Sequence, residues 1–281
     1  MTIRRRRSAL YMPASNPRAI AKARTLECDV VILDLEDAVA PDEKATARDR
    51  VVDTVREGGF GNRELVVRVN GLGTPWYADD IAAVRAIDVD AVLVPKVSYP
   101  ADLAAVRSAL GKDGPPIWAM IETCAAILSL PDLSKAAAEA RLSALIVGTN
   151  DLAKEMRCRL GPDRLPLFAT LSSTVTAARA AGLVALDGVC NALDDPALFA
   201  AECEQGAMLG FDGKTLIHPS QIEVANASFG PTRDDIARAK AIIAAFALPA
   251  NADKGAIRLG GEMIERLHLA EAEAVVAQAG R

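Results

Sequence analysis

The feature that most restricts what this chain can fold into is a recurrence. An apolar run of strand length followed by a segment of helical spacing returns eight times, the runs spanning 8–13, 29–35, 64–69, 91–97, 117–121, 142–148, 183–189 and 210–217. Among the intervening segments, 43–57, 101–110, 132–140, 166–181 and 196–209 carry Ala-rich faces at helical spacing. Such alternation predicts a parallel α/β fold. Eight units, with no glycine-rich dinucleotide fingerprint after the first run, predict closure into a (β/α)8 TIM barrel rather than a doubly wound sheet. The 281 residues accommodate one barrel, which takes about 250. Aromatic residues make up only 4%, so the core must be assembled from Ala, Val, Leu and Ile, as suits parallel strands buried under helices.

Past Gly230 the rhythm changes. Residues 1–230 are predicted to form the barrel, and 231–281 a C-terminal helical extension. Within the extension, 232–248 reads as an amphipathic helix opened by Thr-Arg-Asp-Asp, 249–261 as a loop, and the residues from about Leu267 as a final helix. The extension is expected to be a lid, an arm reaching a neighbouring subunit, or a helix packed at the chain's end.

The net charge of −5 argues against a nucleic-acid footprint. The run Arg4-Arg5-Arg6-Arg7 is an exception, but the apolar stretch after it stops at Pro13, too short for an export signal. A solvated basic arm near an anionic ligand is expected instead. No apolar run reaches about 18 residues, so no membrane span is predicted. The five cysteines (Cys28, Cys124, Cys158, Cys190 and Cys203) show no paired spacing, which fits reduced structural thiols in a cytoplasmic protein.

Barrel active sites lie at the carboxyl ends of the strands. Here those ends read Asp34-Leu35-Glu36-Asp37, Arg68-Val69-Asn70, Lys96, Glu122-Thr123, Thr149-Asn150-Asp151, Asp187 and His218. Solvated loop starts would also recruit Ser and Gly; carboxylates converging with an Arg and a Lys are harder to obtain by accident. Glu122 and Asp151 should end adjacent strands. Two carboxylates that close repel unless a cation lies between them or a neighbouring Arg68 or Lys96 neutralises them. With only two histidines in the chain, the oxygen-rich donor set points to Mg²⁺ rather than Zn²⁺.

Arg68 is expected to project into the rim as a planar fork for a substrate carboxylate, to pair with Asp34, Glu36 or Asp37, or to do both. Lys96 is read as structural or electrostatic, because a Schiff-base lysine needs a lowered pKa and this anionic rim raises it. His218, followed by Pro219, is either an acid–base group or a residue that fixes its loop. Asp34, Glu36, Asp37 and Lys96 are expected to orient Arg68 and the metal ligands.

Seven segments together resemble the citrate lyase beta-subunit-like family of the aldolase/citrate lyase superfamily, which includes malyl-CoA and citramalyl-CoA lyases. They are Tyr11-Met12-Pro13-Ala14-Ser15-Asn16-Pro17, 31–39, Val67-Arg68-Val69-Asn70-Gly71, Pro95-Lys96-Val97, Met120-Ile121-Glu122-Thr123, Gly148-Thr149-Asn150-Asp151-Leu152 and 213–221. The resemblance covers the chain from about Ser8 to the last helix. It implies a TIM barrel, Mg²⁺ held by Glu122 and Asp151, and a substrate carboxylate or keto oxygen engaged by Arg68, with Glu122 and Asn150 also facing the substrate. It further implies a CoA thioester passing Tyr11, Lys22, Ile217 and His218, and a homo-oligomer, a trimer or a multiple of one.

Two departures from the family pattern stand out. Asn16 stands where some relatives carry Arg at a phosphate contact; Arg18 or the Arg4–Arg7 run is expected to compensate. The tail reads Met263-Ile264-Glu265 where many relatives have Met-Ile-Asp, whose Asp acts on the acyl group in a neighbouring subunit. Glu265 is accordingly expected to be the base, to mark a different reaction, or to be a solvated residue at a helix start.

The reaction expected from the resemblance is a carbon–carbon cleavage, or its reverse. A 3-hydroxyacyl-CoA thioester such as malyl-, citramalyl- or citryl-CoA would give an acyl-CoA and a keto acid. The alternatives are a malyl-CoA-type thioesterase, a CoA-independent keto-acid aldolase, and a citrate lyase beta subunit that depends on an acyl carrier.

Overall fold

The structure is a computed structural model and describes residues 4–251 and 253–279. Two compact units divide the chain, one of Arg6–Asn226 and one of Ala227–Arg281 with the first five residues.

In the first unit, eight strands follow one another around a closed parallel barrel. They are β1 (Ser8–Pro13), β2 (Val30–Asp34), β3 (Glu64–Arg68), β4 (Ala91–Val94), β5 (Ile117–Ile121), β6 (Leu142–Val147), β7 (Val184–Asp187) and β8 (Gly213–Leu216), and β8 pairs back onto β1. Helices follow them: α1 (Pro17–Ala23), α2 (Lys44–Glu57), α3 (Tyr77–Arg85), α4 (Pro100–Leu110), α5 (Cys124–Ala140), α6 (Thr149–Met156), α7 (Phe168–Ala180), α8 (Pro196–Leu209) and α9 (Ile222–Ser228).

Side chains alternate across each strand, and one parity fills the lumen. Ala9, Val30, Ile32, Val66, Leu93, Trp118, Met120, Ile146 and Leu186 form that inner cluster. The other parity, including Val31, Leu33, Val67, Val92, Ala119 and Leu145, is equally buried. Counting two residues on from the inner set puts Tyr11, Asp34, Arg68 and Glu122 over the carboxyl mouth of the barrel.

The amino end is closed by the arginines expected to form a solvated arm. Arg6 reaches the buried Glu64 through two bonds (2.5 and 2.7 Å) and lies 5.2 Å from the Trp118 ring. Arg7 grips Asp29 through its backbone amide and the Nε–Nη2 edge of its guanidinium. These two residues therefore serve the fold.

Helix α5 begins at Cys124, well before the expected 132, because Thr123 caps it by accepting from the Ala126 amide at 3.0 Å. Pro131 lies inside it. Its missing N–H removes one helical bond without ending the helix.

The second unit contains α10 (Arg233–Ala247), β9 (Ala256–Leu259), β10 (Glu262–Glu265) and α11 (Arg266–Ala279). Thr232 and Asp235 cap α10 reciprocally. The segment expected to be a loop, whose Ala252 lies outside the described residues, holds a strand of an antiparallel hairpin. Its turn is Gly260-Gly261 at φ 61° and 92°, the left-handed pair that a tight two-residue hairpin requires. Ile242, Phe246, Ile257, Ile264 and Ala272 bury one another in this unit's own core.

Candidate active site at the carboxyl ends of the strands

The carboxyl mouth of the barrel holds a cleft of about 360 Å³. Tyr11, Asp34, Asp37, Arg68, Glu122, Asn150, Asp151 and Ile217 all line it.

Its floor is built from neighbouring strand ends. Asp34 and Arg68 are register partners on β2 and β3. Their side chains meet as a two-pronged pair, Nε to Oδ1 at 2.7 Å and Nη2 to Oδ2 at 2.6 Å. Arg68 Nη1 remains for Glu36 Oε2 at 2.9 Å and Asp37 Oδ2 at 3.7 Å. The guanidinium stacks over Tyr11 at 4.6 Å, a cation–π contact that fixes its plane. Burial pushes the Tyr11 phenol well above its ordinary range, with Arg68 pulling the other way. The phenol is thus a neutral hydrogen-bond donor, here directed at Met120 Sδ at 3.9 Å.

The carboxylate-rich loop after β2 is held from below. Lys44 donates 2.7 Å bonds to the carbonyls of Leu35 and Glu36 and to Asn70 Oδ1. Asn70 in turn donates to Asp80 at 2.6 Å. A lysine saturated in this way fixes backbone, and its ammonium does not face the cleft.

Glu122 follows β5 and is 4% exposed. Its Oε1 accepts the Lys96 amide at 2.8 Å. Burial first, and Glu36 second, push its carboxyl up to about 7, only partly countered by Lys96. A Cβ on residue 148 would overlap this carboxylate, so Gly148 is what lets β6 and its loop close on it. Glu36 is likewise raised by burial, and its Oε2 has the Arg68 ion pair but no hydrogen bond.

Asp151 lies in the first turn of α6 rather than at the end of β6 itself, where the helix dipole favours a carboxylate. The amide before it, Asn150, exchanges bonds with Asn191 at 2.7 and 3.4 Å. Lys96 bridges the two sides of the site, its Nζ 3.0 Å from Asp151 Oδ2 and 3.3 Å from Glu36 Oε1. Although burial pulls that ammonium down, Asp151, Glu36 and Glu122 hold it above its ordinary range, so it is no Schiff-base nucleophile.

Other expected site residues fall elsewhere. Asp187, expected at the rim, has the opposite parity to the luminal Leu186 and points toward the helices. There it is fully buried, bound by Arg164 at 2.8 and 2.9 Å and by Lys214 at 2.8 Å. His218 does not line the cleft; its Nδ1 accepts the Ser220 amide at 3.2 Å and caps the turn Pro219–Gln221. Lys22 is exposed in the last turn of α1, and Asn16 uses its side chain to cap that helix by accepting from Ala19 at 3.1 Å. Glu265 ends β10 in the second unit, half-buried, its amide donating to His268 Nδ1 at 2.9 Å.

Asn191 and Lys44 escaped the sequence reading. Asn191 stands in a loop with no charged neighbour to flag it, and Lys44 reads as an ordinary first-turn helix residue. Among the described residues, no helix is long and apolar enough to cross a membrane.

Known proteins resemble the chain along nearly its whole length. A family model described as HpcH/HpaI aldolase/citrate lyase matches residues 7–219. A (3S)-malyl-CoA thioesterase of Cereibacter sphaeroides is 47% identical over 273 residues, covering 97% of this chain and 94% of the relative. An L-malyl-CoA/beta-methylmalyl-CoA lyase of the same species is 32% identical over 301 residues, covering 97% and 94%. Among solved structures, CitE of Mycobacterium tuberculosis in complex with magnesium, acetoacetate and coenzyme A superposes with a TM-score of 0.80 at 28% identity, covering 98% of each chain.

Proposed function

The chain belongs to the HpcH/HpaI aldolase/citrate lyase family of enzymes, and on that premise we propose that it uses Mg²⁺ to act on a malyl-CoA-type 3-hydroxyacyl-CoA thioester, chiefly by hydrolysing the thioester. The observation that carries this reading is the convergence of Arg68, Glu122 and Asp151 on one cleft that has more carboxylates than cations.

The donor set fits the ion. Glu122 and Asp151 offer hard oxygens, and Glu122, raised by burial and then by Glu36, is a carboxyl whose ionised form a bound cation would stabilise. Among the described residues, no cluster of three or more His, Cys, Asp or Glu side chains gathers as a metal cage. Two carboxylates leave the remaining positions to substrate oxygens and water, which is the habit of Mg²⁺. When bound, the ion supplies Lewis-acid polarisation of the substrate oxygen it touches.

Arg68, held flat by Asp34 and Tyr11, fixes the free carboxylate of the hydroxyacyl group. Tyr11 and Ile217 flank the path of the thioester arm, with His218 at its edge. Lys22 and Arg18 supply the phosphate contact, because the Asn16 side chain is committed to its helix cap. Glu265 serves the site of a neighbouring subunit in a homo-oligomer, a trimer or a multiple of one. One methylene longer than the Asp of the resembling lyases, it holds the water that attacks the thioester carbonyl.

Hydrolysis is favoured because the thioesterase relative is much the more similar of the two. Carbon–carbon cleavage is the second reading, supported by the lyase among the relatives; there Glu265 returns a proton to the acyl carbon. Incubating the chain with malyl-CoA and Mg²⁺ separates them. Free CoA with malate means hydrolysis, whereas glyoxylate with acetyl-CoA means cleavage, and neither product rejects both. Turnover by the isolated chain also excludes dependence on an acyl carrier. Glu265→Asp is expected to shift the product ratio toward glyoxylate. Mixing Glu265→Ala with Arg68→Ala protein should restore turnover if the two residues act across subunits.

A further inference from the structure

Among the described residues, Lys96 is the one in the barrel mouth whose main chain and side chain both touch the carboxylates assigned to the metal. Its φ is 57°, left-handed and sterically costly for a residue with a side chain, yet no glycine stands there. That conformation aims the amide at Glu122 while the ammonium reaches Asp151 and Glu36. One residue thereby joins carboxylates from three segments: the loop after β2, the end of β5 and the first turn of α6.

The other cations near this cluster are engaged differently. Arg68 is locked two-pronged onto Asp34, and Lys44 is saturated by two carbonyls and an amide oxygen. Lys96, by contrast, holds its carboxylates through single contacts of 3.0 and 3.3 Å, and its side chain is 50% exposed. It has a route into solvent that the other two lack. The oxygen it touches on Asp151 belongs to the carboxylate proposed to hold the divalent ion.

We propose that Lys96 is a built-in counter-cation that holds Asp151 and Glu36 in the ion-free protein and swings out when a divalent cation arrives, so that it sets how tightly the ion is held. The inference rests on the Mg²⁺ reading above. Lys96 is a positioning residue: it acts on the ligands and not on the substrate. Its amide keeps Glu122 aimed in either state, while its ammonium competes with the ion for Asp151.

The test is Mn²⁺ binding, followed by the loss of the free-ion electron paramagnetic resonance signal, in the full-length protein and in Lys96→Met and Lys96→Arg. Met tolerates the left-handed backbone no worse than Lys and leaves the amide in place. Removing a unit charge from beside the ion should tighten binding roughly tenfold in Lys96→Met, while Lys96→Arg, which keeps the charge, should bind like the parent. In the unaltered protein, Mg²⁺ should raise the acetylation rate of Lys96, read by peptide mass spectrometry; that arm stands even if a variant fails to fold.

Unchanged or weaker binding by a folded Lys96→Met, or a Lys96 that Mg²⁺ fails to expose, overturns the proposal. A parent that ignores Mn²⁺ beside a Lys96→Met that binds it supports the counter-cation in its strongest form. If neither binds, both this inference and the metal reading fall.

Discussion

Two charged clusters at the carboxyl ends of the strands are built from the same residue types and do opposite things. The first surrounds the cleft: among the described residues, Asp34, Glu36, Asp37 and Asp151 form ion pairs with Arg68 and Lys96, and Glu122 accepts the Lys96 amide. The second lies between the barrel and its helices, where Asp187 and Glu202 face Arg164 and Lys214. The second is balanced in charge and closed, with Lys214 fully buried. The first is short of positive charge and open on one side. Balance makes a structural cluster; the shortfall makes a site that waits for a cation, in which burial first and neighbouring carboxylates second raise Glu122 and Glu36.

The sharpest break of this comparison is to remove a ligand from the first cluster. Glu122→Gln or Asp151→Asn should abolish tight Mg²⁺ binding and lower turnover by about a hundred- to a thousand-fold, with the fold retained. Calorimetric Mg²⁺ titration and malyl-CoA turnover check it. Full binding and full rate in both variants would remove the metal reading.

The converse acts on the second cluster. Asp187→Asn leaves Arg164 and Lys214 with one buried carboxylate between them, and breaking such a pair costs about 3–5 kcal/mol. Urea denaturation should register that loss, while Mg²⁺ affinity of the folded fraction stays at the parental value. If Asp187→Asn lost Mg²⁺ and kept its stability, the two clusters would have been assigned the wrong way round.

This contrast also marks how far the sequence could be read. The eight strands and their order were legible because each run is a short, continuous apolar stretch between helical segments. Asp34, Arg68 and Glu122 were legible as strand ends, and their luminal parity follows from Ile32, Val66 and Met120. Asp187 was misplaced because a strand buried on both faces hides its parity, so its end looks the same whether it faces the lumen or the helices. The β9–β10 hairpin was missed because four-residue strands carry too little alternation, although Gly260-Gly261 marked the turn. Asp151 and Lys96 were found as residues, but their arrangement was not: the bridge from Lys96 depends on a left-handed backbone that no pattern announces.

A pH titration probes the shortfall without a mutation. Glu122 has an ordinary value of 4.5 and one of about 7 in the fold, so the folded protein holds a proton that the unfolded chain has released between those values. The sign follows: this group stabilises the ion-free fold below pH 4.5, and the contribution is lost as pH rises through 7, amounting to about 3 kcal/mol. Saturating Mg²⁺ should reverse the slope, because binding needs the carboxylate. Denaturation midpoints from pH 5 to 8, with and without Mg²⁺, should therefore diverge as pH rises. Parallel curves would mean that Glu122 is not the group short of a cation.

The smallest expected effect lies where the two clusters approach one another along the chain. Asn191 follows the Asp187 strand end by four residues, and its amide meets Asn150, which precedes Asp151. The balanced cluster thus anchors the base of the loop that steadies one wall of the cation-poor cluster. Asn191→Ala deletes that contact at an exposed position, where a single hydrogen bond contributes about 1 kcal/mol. Turnover number should hardly move, because the ligands themselves are intact. KM for the thioester should rise roughly five-fold, which is that energy expressed as binding. An equal fall in turnover number would instead mean that Asn150 is placed against the reacting atoms, and that the pair belongs to the chemistry rather than to the wall around it.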